Sequence, residues 1–205
     1  MALLLHAWTD FACPYCFLAT LAVEKLNDHY ELDIHWRSFQ LRPPGASPVP
    51  RSSATIAGEH AHVASRVLSE FGLNLKPGPI GINTRLAHIA TAYASSIGRG
   101  DSFHLLVMNH YWLDGSSIES PRDIHRLAEL GGLDPLGVTS ALENPKFADM
   151  VDDDRQEAHR RGLQGVPALL FAHKYLVSGA HPYEFLRQAV EKLHPESNAS
   201  AAGGA

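Results

Sequence analysis

The first forty residues carry three successive patterns of apolar and polar positions. Residues 3–8 are almost continuously apolar, which is typical of a strand buried on both faces of a sheet. Apolar residues then recur at every fourth position from Leu18 to Leu26, and the helix that they predict ends near Tyr30. Over residues 32–37 apolar and polar side chains alternate, as in a strand with one polar face. We therefore expect a βαβ unit whose first strand is central in its sheet.

The middle of the chain is predicted to be helical. Four prolines between residues 42 and 51 take the chain out of the sheet, because proline cannot continue a helix or a central strand. Apolar positions at helical spacing predict three helices, at about residues 56–71, 83–97 and 101–113. Ser120 and Asp134, each followed by proline, are N-cap signals that predict two short helices. The acidic run of residues 152–154 is expected on a solvated helical face.

The strand pattern returns near Gly165. Residues 168–171 and 175–177 predict a hairpin, and Pro182 is predicted to open a last helix. The fold class is therefore α/β. We expect one discontinuous domain from residues 1–42 and 163–194, a helical insertion over residues 43–162, and a disordered tail over residues 195–205.

Composition and charge narrow the range of functions. The chain has 205 residues, of which 45% are hydrophobic, and this is enough for a full core. Its formal net charge is −5 and no run of basic residues occurs, so neither nucleic acid nor a membrane is expected as a partner. Residues 1–6 lack Lys and Arg, and their apolar run is too short for a signal peptide. We expect a cytoplasmic protein, either a monomer or a homodimer.

Cys13 and Cys16 are the only cysteines of the chain. They stand on the first turn of the first predicted helix, with Pro14 near its first position, so their sulfurs are close enough to form a disulfide. Free N–H groups at the start of a helix stabilise an anion, and Cys13 is therefore the expected nucleophilic thiolate. Cys16, one turn further in, would resolve the mixed disulfide that Cys13 forms with a substrate.

The dithiol has two other interpretations. Both cysteines could be ordinary buried side chains, or half of a zinc site, since two cysteines at this spacing also bind zinc. A zinc site needs two further ligands, and the sequence has no second C-x-x-C and no H-x-x-x-H pair. His60 and His62 point to different faces of a helix and make a poor chelate. No metal is therefore expected.

Several stretches of the sequence resemble one family of proteins. They are the segment Asp10-Phe11-Ala12-Cys13-Pro14-Tyr15-Cys16, residues 36–39 with Leu41 and Pro43, Asn83-Thr84 with Ala87-His88, residues 158–167, and Ser178-Gly179-Ala180. In this order they resemble the DsbA family of thiol-disulfide oxidoreductases, and in particular its FrnE-like branch. The resemblance spans residues 3–193 and implies a thioredoxin-like fold with a large α-helical insertion.

The resemblance also implies roles for residues other than the cysteines. Pro167 is expected to be cis, with Val166 presenting backbone groups to an extended substrate beside the dithiol. Pro14 and Tyr15 are expected to contact the substrate as well. His88 is marked by the resemblance, and its role stays open between catalysis and packing within the helical insertion.

The residues within and beside the motif modify these expectations. The Pro-Tyr dipeptide resembles that of glutaredoxins, whereas DsbA oxidants usually carry Pro-His, whose imidazole helps to stabilise the thiolate. Tyr15 cannot supply a positive charge, so the chain is expected to be less oxidising than a DsbA. Trp8 and Phe11 flank the motif, where they could form an apolar rim around Cys13, although core packing explains Trp8 equally well.

Three functions fit these observations. The leading hypothesis is a thiol-disulfide oxidoreductase or isomerase that acts on protein or small-molecule disulfides. The fold resembles that of glutathione-dependent isomerases and kappa-class transferases, among them 2-hydroxychromene-2-carboxylate isomerase, but these usually carry Ser in place of the first cysteine. A chaperone-like module that binds peptides is the third. No nucleotide-binding motif is present, so no bound cofactor is expected, and glutathione or a thioredoxin-type partner would recycle the dithiol.

Overall fold

The computed structural model describes residues 2–45 and 52–193, and its strands form a four-stranded sheet. The strands are β1 (Leu3–Thr9), β2 (Leu32–Ser38), β3 (Ala168–Phe171) and β4 (Tyr175–Ser178). Their order is β2-β1-β3-β4, with β1 parallel to β2 and antiparallel to β3, and with β3 antiparallel to β4. The predicted βαβ unit, the central position of β1 and the hairpin are confirmed.

Eight helices lie in the described part of the chain. They are α1 (Pro14–Asn27), α2 (Ser53–Phe71), α3 (Arg85–Ser96), α4 (Gly100–Trp112), α5 (Pro121–Leu130), α6 (Pro135–Glu143), α7 (Pro145–Arg160) and α8 (Tyr183–Leu193). Six of them, α2 to α7, fall between β2 and β3, where the sequence predicts the helical insertion. The predicted N-cap at Ser120 is present at the start of α5, where Ser120 forms a capping box with Asp123.

One apolar core joins the sheet to α1 and α8. Leu5 and Ala7 of β1, Val23 of α1 and Val190 of α8 belong to one cluster, and all four are fully buried. Burial of apolar surface is the main favourable term in folding. This core therefore fixes α1, and with it the two cysteines, against the sheet.

A second apolar core joins α1 to the helices that follow β2. Phe17 of α1, Val67 of α2 and Trp112 of α4 are fully buried in it. The rings of Phe17 and Trp112 stack with their centroids 6.0 Å apart. The indole N–H of Trp112 also donates a hydrogen bond to the carbonyl oxygen of Phe11 at 2.8 Å. The helical segment thus holds both α1 and the turn that precedes it.

Two helix boundaries differ from the prediction. α1 ends at Asn27 rather than near Tyr30. The N–H groups of His29 and Tyr30 both donate to the carbonyl oxygen of Leu26, which forms a turn after the helix. α7 begins at Pro145, after an N-cap at Asn144 that the sequence analysis overlooked. The signal is of the same kind as the one recognised at Asp134, an N-cap followed by proline.

The prediction of a solvated face for the acidic run of α7 is confirmed only in part. Asp153 is exposed and the side chain of Asp152 is 49% exposed, whereas that of Asp154 is 17% exposed. The carboxylate of Asp154 accepts hydrogen bonds from Arg37 at 3.0 Å and from the backbone N–H of Ser38 at 2.9 Å. Asp152 accepts two hydrogen bonds from Arg85, at 2.7 and 2.8 Å. Partners on β2 and α3 draw these carboxylates into contacts between elements, and such partners are distant in the sequence.

Some predictions fall outside the described ranges. These are the tail of residues 195–205 and the part of the proline-rich segment from residue 46 to residue 51. The division of the chain into two domains stays a prediction. Within residues 2–45 and 52–193, no helix is both long enough and apolar enough to cross a membrane.

Candidate active site

The two cysteines lie where the turn after β1 enters α1. Cys13 is the N-cap of the helix and has an extended backbone, with Pro14 at the first helical position. The N–H of Cys13 donates to the carbonyl oxygen of Asp10 at 3.1 Å, and the Asp10 carboxylate accepts the N–H of Ala12 at 2.9 Å. Proline suits the first helical position because its missing N–H is not needed there. Asp10 and Pro14 therefore fix the turn that carries Cys13.

The two sulfurs have different surroundings. Cys13 is 5% exposed and Cys16 is fully buried, and both are free thiols. The Sγ of Cys13 donates to the carbonyl oxygen of Val166 at 3.8 Å. The Sγ of Cys16 instead accepts the backbone N–H of Asp10 at 3.4 Å. Cys13 is thus the less buried of the two cysteines.

The environment of Cys16 disfavours its thiolate. Burial raises the pKa of Cys16 well above its usual value, and the hydrogen bond with Cys13 and the negative charge of Asp10 raise that pKa further. The N–H of Asp10 acts in the opposite direction without outweighing them. Cys16 is therefore a thiol at neutral pH, and it has to lose a proton before it can act as a nucleophile.

Val166 and Pro167 lie beside Cys13, although about 150 residues separate them along the chain. The peptide bond between them is cis, as the family resemblance implies. Pro167 is buried and Val166 is half-buried. Together with Leu176 of β4 they line a surface cavity of about 460 Å³. The structure therefore brings the predicted pair, the dithiol and an open cavity into one region.

The two residues between the cysteines are placed differently from each other. Pro14 is buried, whereas Tyr15 is half-buried. The ring of Tyr15 lies near that of the exposed His62 of α2, with the ring centroids 6.3 Å apart. Tyr15 is therefore the more accessible of the two, and their contact with a substrate stays a prediction.

Trp8 and Phe11 do not form an apolar rim around the dithiol. They are only 2% and 1% exposed. The indole N–H of Trp8 donates to the backbone oxygen of Asp154 at 3.0 Å. The ring of Phe11 packs near the imidazoles of His88 and His104, with centroid distances of 4.7 and 5.1 Å. Both residues therefore belong to the core.

Asp10 also belongs to the site, although it is not among the predicted site residues. Asp10 is 2% exposed, and its carboxylate also accepts the N–H of Leu41 at 2.6 Å, which ties the turn to the loop after β2. Gln40, next to Leu41, accepts a hydrogen bond from Arg85 at 3.0 Å, and His88 follows Arg85 by one helical turn. An Asp at the end of an apolar strand, just before a helix start, is the signal that could have revealed this role.

The histidines of α2 do not form a chelate. The ring of His60 packs edge-on against Trp112, with the centroids 5.5 Å apart, whereas His62 lies towards Tyr15. Within the described ranges, no group of three or more His, Cys, Asp or Glu side chains has a geometry that could hold a metal ion. The predicted separation of His60 and His62 onto different faces is confirmed.

The family of the chain follows from a match along most of its length. The family model of the DSBA-like thioredoxin domain matches residues 5–191. The chain belongs to this family. Its fold is accordingly thioredoxin-like, α/β with inserted helices, and its family is one of thiol-disulfide oxidoreductases. Membership of the FrnE-like branch is compatible with this match and stays a prediction.

Three solved structures are similar to this DSBA-like chain. A probable DsbA oxidoreductase from Streptomyces coelicolor is 25% identical, with a TM-score of 0.81, and the match covers 95% of this chain and 91% of that one. A 2-hydroxychromene-2-carboxylate isomerase is 20% identical, with a TM-score of 0.76 and coverage of 98% and 100%. The cytosolic disulfide reductase DsbM from Pseudomonas aeruginosa, solved with GSH, is 15% identical, with a TM-score of 0.69 and coverage of 92% and 99%. The last two similarities show the fold alone.

Proposed function

We propose that the chain catalyses thiol–disulfide exchange, with Cys13 as nucleophile and Cys16 as resolving thiol. The difference between the two sulfurs carries this proposal. Cys13 is the less buried of the two and lies beside the carbonyl of Val166, whereas Cys16, one turn later in α1, is fully buried and its pKa is raised. A nucleophile needs access to its substrate, and a resolving thiol needs only to reach the first sulfur.

In the proposed cycle, the Cys13 thiolate attacks a substrate disulfide. One substrate sulfur leaves as a thiolate and the other stays bound to Cys13 as a mixed disulfide. Cys16 then attacks the Sγ of Cys13, which releases the second substrate thiolate and leaves an internal disulfide. Two electrons pass from the dithiol to the substrate. The reverse sequence oxidises a substrate dithiol, so oxidase and isomerase activities would use the same atoms.

Protein disulfides are the substrate class that we propose. The carbonyl of Val166 faces the Cys13 sulfur, and the cavity of about 460 Å³ beside it includes Leu176, which is 44% exposed. An extended protein segment can pair with free backbone groups by strand addition and place an apolar side chain in such a cavity. Val166 and Pro167 would then bind the substrate, with Pro14 and Tyr15 on the cysteine side.

Glutathione is the thiol that we propose for recycling the dithiol, with no bound cofactor. The disulfide reductase DsbM, which shares this fold, was solved with GSH. The dithiol holds the only cysteines of the chain, so no structural disulfide makes it dependent on an oxidising compartment. A cytoplasmic location is proposed on this ground.

A redox titration tests the proposed function first. The protein is equilibrated in graded glutathione redox buffers, and free thiols are counted by the mass added on alkylation. A reversible transition of two thiols per chain is expected, with no such transition in Cys13→Ser. Failure to form the internal disulfide, or a stable single glutathione adduct on the wild-type protein, would overturn the proposal.

Trapping assigns the roles of the two sulfurs. Reduced Cys16→Ser is expected to accumulate a mixed disulfide with an unfolded client protein that contains disulfides, because the first attack occurs and the second cannot. Cys13→Ser is the matched control and should trap nothing. If Cys13→Ser trapped the client and Cys16→Ser did not, the roles would be reversed.

A glutathione-dependent isomerase or transferase is the second candidate, favoured by the TM-score of 0.76 to 2-hydroxychromene-2-carboxylate isomerase. Such an enzyme would activate bound glutathione and would not need Cys16. Isomerisation of 2-hydroxychromene-2-carboxylate in the presence of glutathione, followed by absorbance, separates the two functions. Activity that survives in Cys16→Ser would support this second candidate against the first. The chaperone-like module stays a prediction, and suppression of client aggregation by the double Cys→Ser variant is its test.

A further inference from the structure

A second and larger cavity, the β2 groove, lies along β2. Its volume is about 580 Å³, which is within the usual range for ligand sites, and it shares no residue with the cavity beside Val166. Residues 33–38 all line it, and its other wall comes from the end of α3, the start of α4 and the middle of α7. Successive side chains of a strand point to opposite faces, so a cavity lined by six in a row runs along the edge of the strand.

The edge of β2 that faces the groove has no neighbouring strand. β2 is the last strand on its side of the sheet, and within the described ranges it pairs only with β1. The N–H of Leu3 donates to the carbonyl oxygen of Glu31 at 2.8 Å, so the backbone groups of every second residue from Glu31 face β1. Those of Ile34 and Trp36 therefore point outwards. Unpaired N–H and C=O groups on a strand edge are a template for an extended peptide.

The groove also contains a side-chain donor. The indole N–H of Trp36 is buried and makes no hydrogen bond in the part of the chain that the structure describes, although the indole is near enough to Asp101 to lower the pKa of that carboxyl. At the end of the strand, the N–H of Ser38 faces the same way as Trp36 and donates to Asp154 at 2.9 Å. A ligand in the groove would thus have to supply acceptors for three N–H groups, the two backbone groups of Ile34 and Trp36 and the indole.

The charge of the groove favours a cation. Its lining holds four aspartates and one arginine, which are Asp33, Asp101, Asp153, Asp154 and Arg37. Arg37 is paired with Asp154, and His35, which lies 3.2 Å from Asp33, is charged only when it is protonated. Burial raises the pKa of Asp101, and the charge of Asp33 raises it further against the opposing effect of His35. A positively charged ligand would relieve this repulsion between carboxylates.

The donors and the charge together select the class of ligand. A protonated polyamine carries positive charge but has no acceptor for the three N–H groups. A second copy of the chain, joined edge to edge through β2, would bring the same aspartates together, and the chain has a formal net charge of −5. An extended peptide that contains Lys or Arg supplies both carbonyl oxygens and positive charge.

We propose that the β2 groove binds an extended, basic segment of another protein, which adds to the sheet as a strand beside β2. Carbonyl oxygens of the segment would accept hydrogen bonds from Ile34 and Trp36, and its Lys or Arg side chains would pair with Asp33 and Asp101. Residues 33–38 extend over about 17 Å at about 3.3 Å per residue, so the bound stretch would be about five residues long. The inference goes beyond the proposed function and requires neither cysteine.

Binding of synthetic peptides tests the inference. The probe is a fluorescein-labelled hexapeptide of alternating lysine and valine, and its anisotropy is recorded with the full-length wild-type protein at physiological salt. Saturable binding of one peptide per chain is expected, and the unlabelled peptide should shift the emission of Trp36. A peptide of alternating glutamate and valine should not bind. Absence of saturation by the lysine peptide at millimolar protein, or equal binding of the two peptides, would overturn the inference.

Two further ligands separate strand addition from simple attraction of charges. A peptoid with the same side chains keeps every charge but has no backbone N–H, so it cannot donate to the carbonyl oxygens of the β2 edge. We expect it to bind at least about tenfold more weakly than the peptide. Spermidine should displace the labelled peptide only in large excess. If the peptoid bound as well as the peptide, or spermidine displaced it at equal concentration, the groove would be a site for organic cations and the inference would be wrong.

Substitutions test whether the peptide binds in the groove. Asp33→Asn and Asp101→Asn are each expected to weaken binding about threefold, and the double variant at least about tenfold. Glu129→Gln is the matched control, because Glu129 of α5 is exposed and does not line the groove. Its affinity should equal that of the wild type. Unchanged affinity in the double variant, with its fold verified by circular dichroism, would show that the peptide binds elsewhere and would overturn the inference.

The remaining outcomes concern a second copy of the chain and the proposed function. A wild-type dimer in sedimentation that the lysine peptide dissociates would assign the groove to a second copy and overturn the inference. None of these measurements uses a thiol. Loss of peptide binding would therefore leave the proposed function intact, and failure of the redox titration would leave the groove intact.

Discussion

The two sides of the dithiol are built from different parts of the chain and have different chemistry. On the substrate side, Cys13 faces the carbonyl of Val166, a backbone group next to an open cavity. On the inner side, Cys16 faces Asp10, whose charge also reaches His88 in the helical segment. In the proposed function, the substrate side would accept many sequences, because it offers a backbone group rather than a specific side chain. The inner side is closed, and burial there raises the pKa of Cys16.

Replacing one cysteine at a time should have the largest effect on activity, because each replacement removes the thiol of one side only. Cys13→Ser removes the nucleophile, so reduction of insulin is expected to fall to the uncatalysed rate. Cys16→Ser keeps the substrate side and should still react once with a disulfide, to give a stable adduct seen by mass spectrometry. Equal loss of the first reaction in both variants would show that the two sides do not have separate roles.

Removing the indole that braces the turn should give the largest loss of stability. Trp112 is fully buried and donates a hydrogen bond to the carbonyl of Phe11. Trp112→Ala is expected to lower the free energy of unfolding by about 3–5 kcal/mol, measured by urea denaturation. Leu136→Ala is the control, since Leu136 is 79% exposed and the expected change is below about 0.5 kcal/mol. Similar losses in the two variants would contradict the bracing role of Trp112.

The pH dependence of the free energy of unfolding tests the burial of His88 on the inner side. Burial lowers the pKa of His88 from 6.5 to about 4 in the folded chain. The unfolded chain therefore binds more protons below pH 6.5, and the folded state loses stability as the pH falls from 6.5 towards 4. Between pH 7 and pH 5 the expected loss from His88 alone is about 2 kcal/mol. Urea unfolding at both pH values should show a smaller loss in His88→Gln than in the wild type, and equal losses would contradict the pKa shift.

Changing Tyr15, in the dipeptide between the two cysteines, should have the smallest effect of these substitutions. Tyr15 is half-buried and carries no positive charge. Tyr15→His introduces an imidazole that stabilises the Cys13 thiolate, so the reduction potential is expected to rise by about 30 mV, a tenfold change in the equilibrium constant. Equilibration with glutathione measures the shift, and Tyr15→Phe should leave the potential unchanged. A Tyr15→His potential equal to that of the wild type would show that the dipeptide does not set it.

Local patterns predicted the sheet and the dithiol well. The apolar run of β1, the alternation in β2 and the proline after Cys13 each depend on neighbouring residues, and the structure confirms the elements that they predict. The cis bond before Pro167 was expected from the family resemblance and not from a local pattern. The proximity of this bond to Cys13 depends on how the fold brings together residues that are distant in the sequence.

The inner side could not be predicted in the same way. The contacts of Asp10 with Leu41 and of Asp154 with Arg37 join residues that are 31 and 117 positions apart. Such pairs leave no periodic signal, and a charged residue read in isolation is expected to be solvated. Burial of His88 likewise depends on how α3 packs against the turn, and one sequence does not reveal this.

The rate at which each cysteine of the fully reduced protein is alkylated tests the central claim most directly. The protein is treated briefly with iodoacetamide between pH 5 and pH 9, and peptide mass spectrometry measures the initial labelling of Cys13 and of Cys16. Because Cys16 is buried and its pKa is raised, Cys13 is expected to react at least about tenfold faster at every pH. Equal labelling of the two sulfurs, or faster labelling of Cys16, would contradict the assignment of nucleophile and resolving thiol.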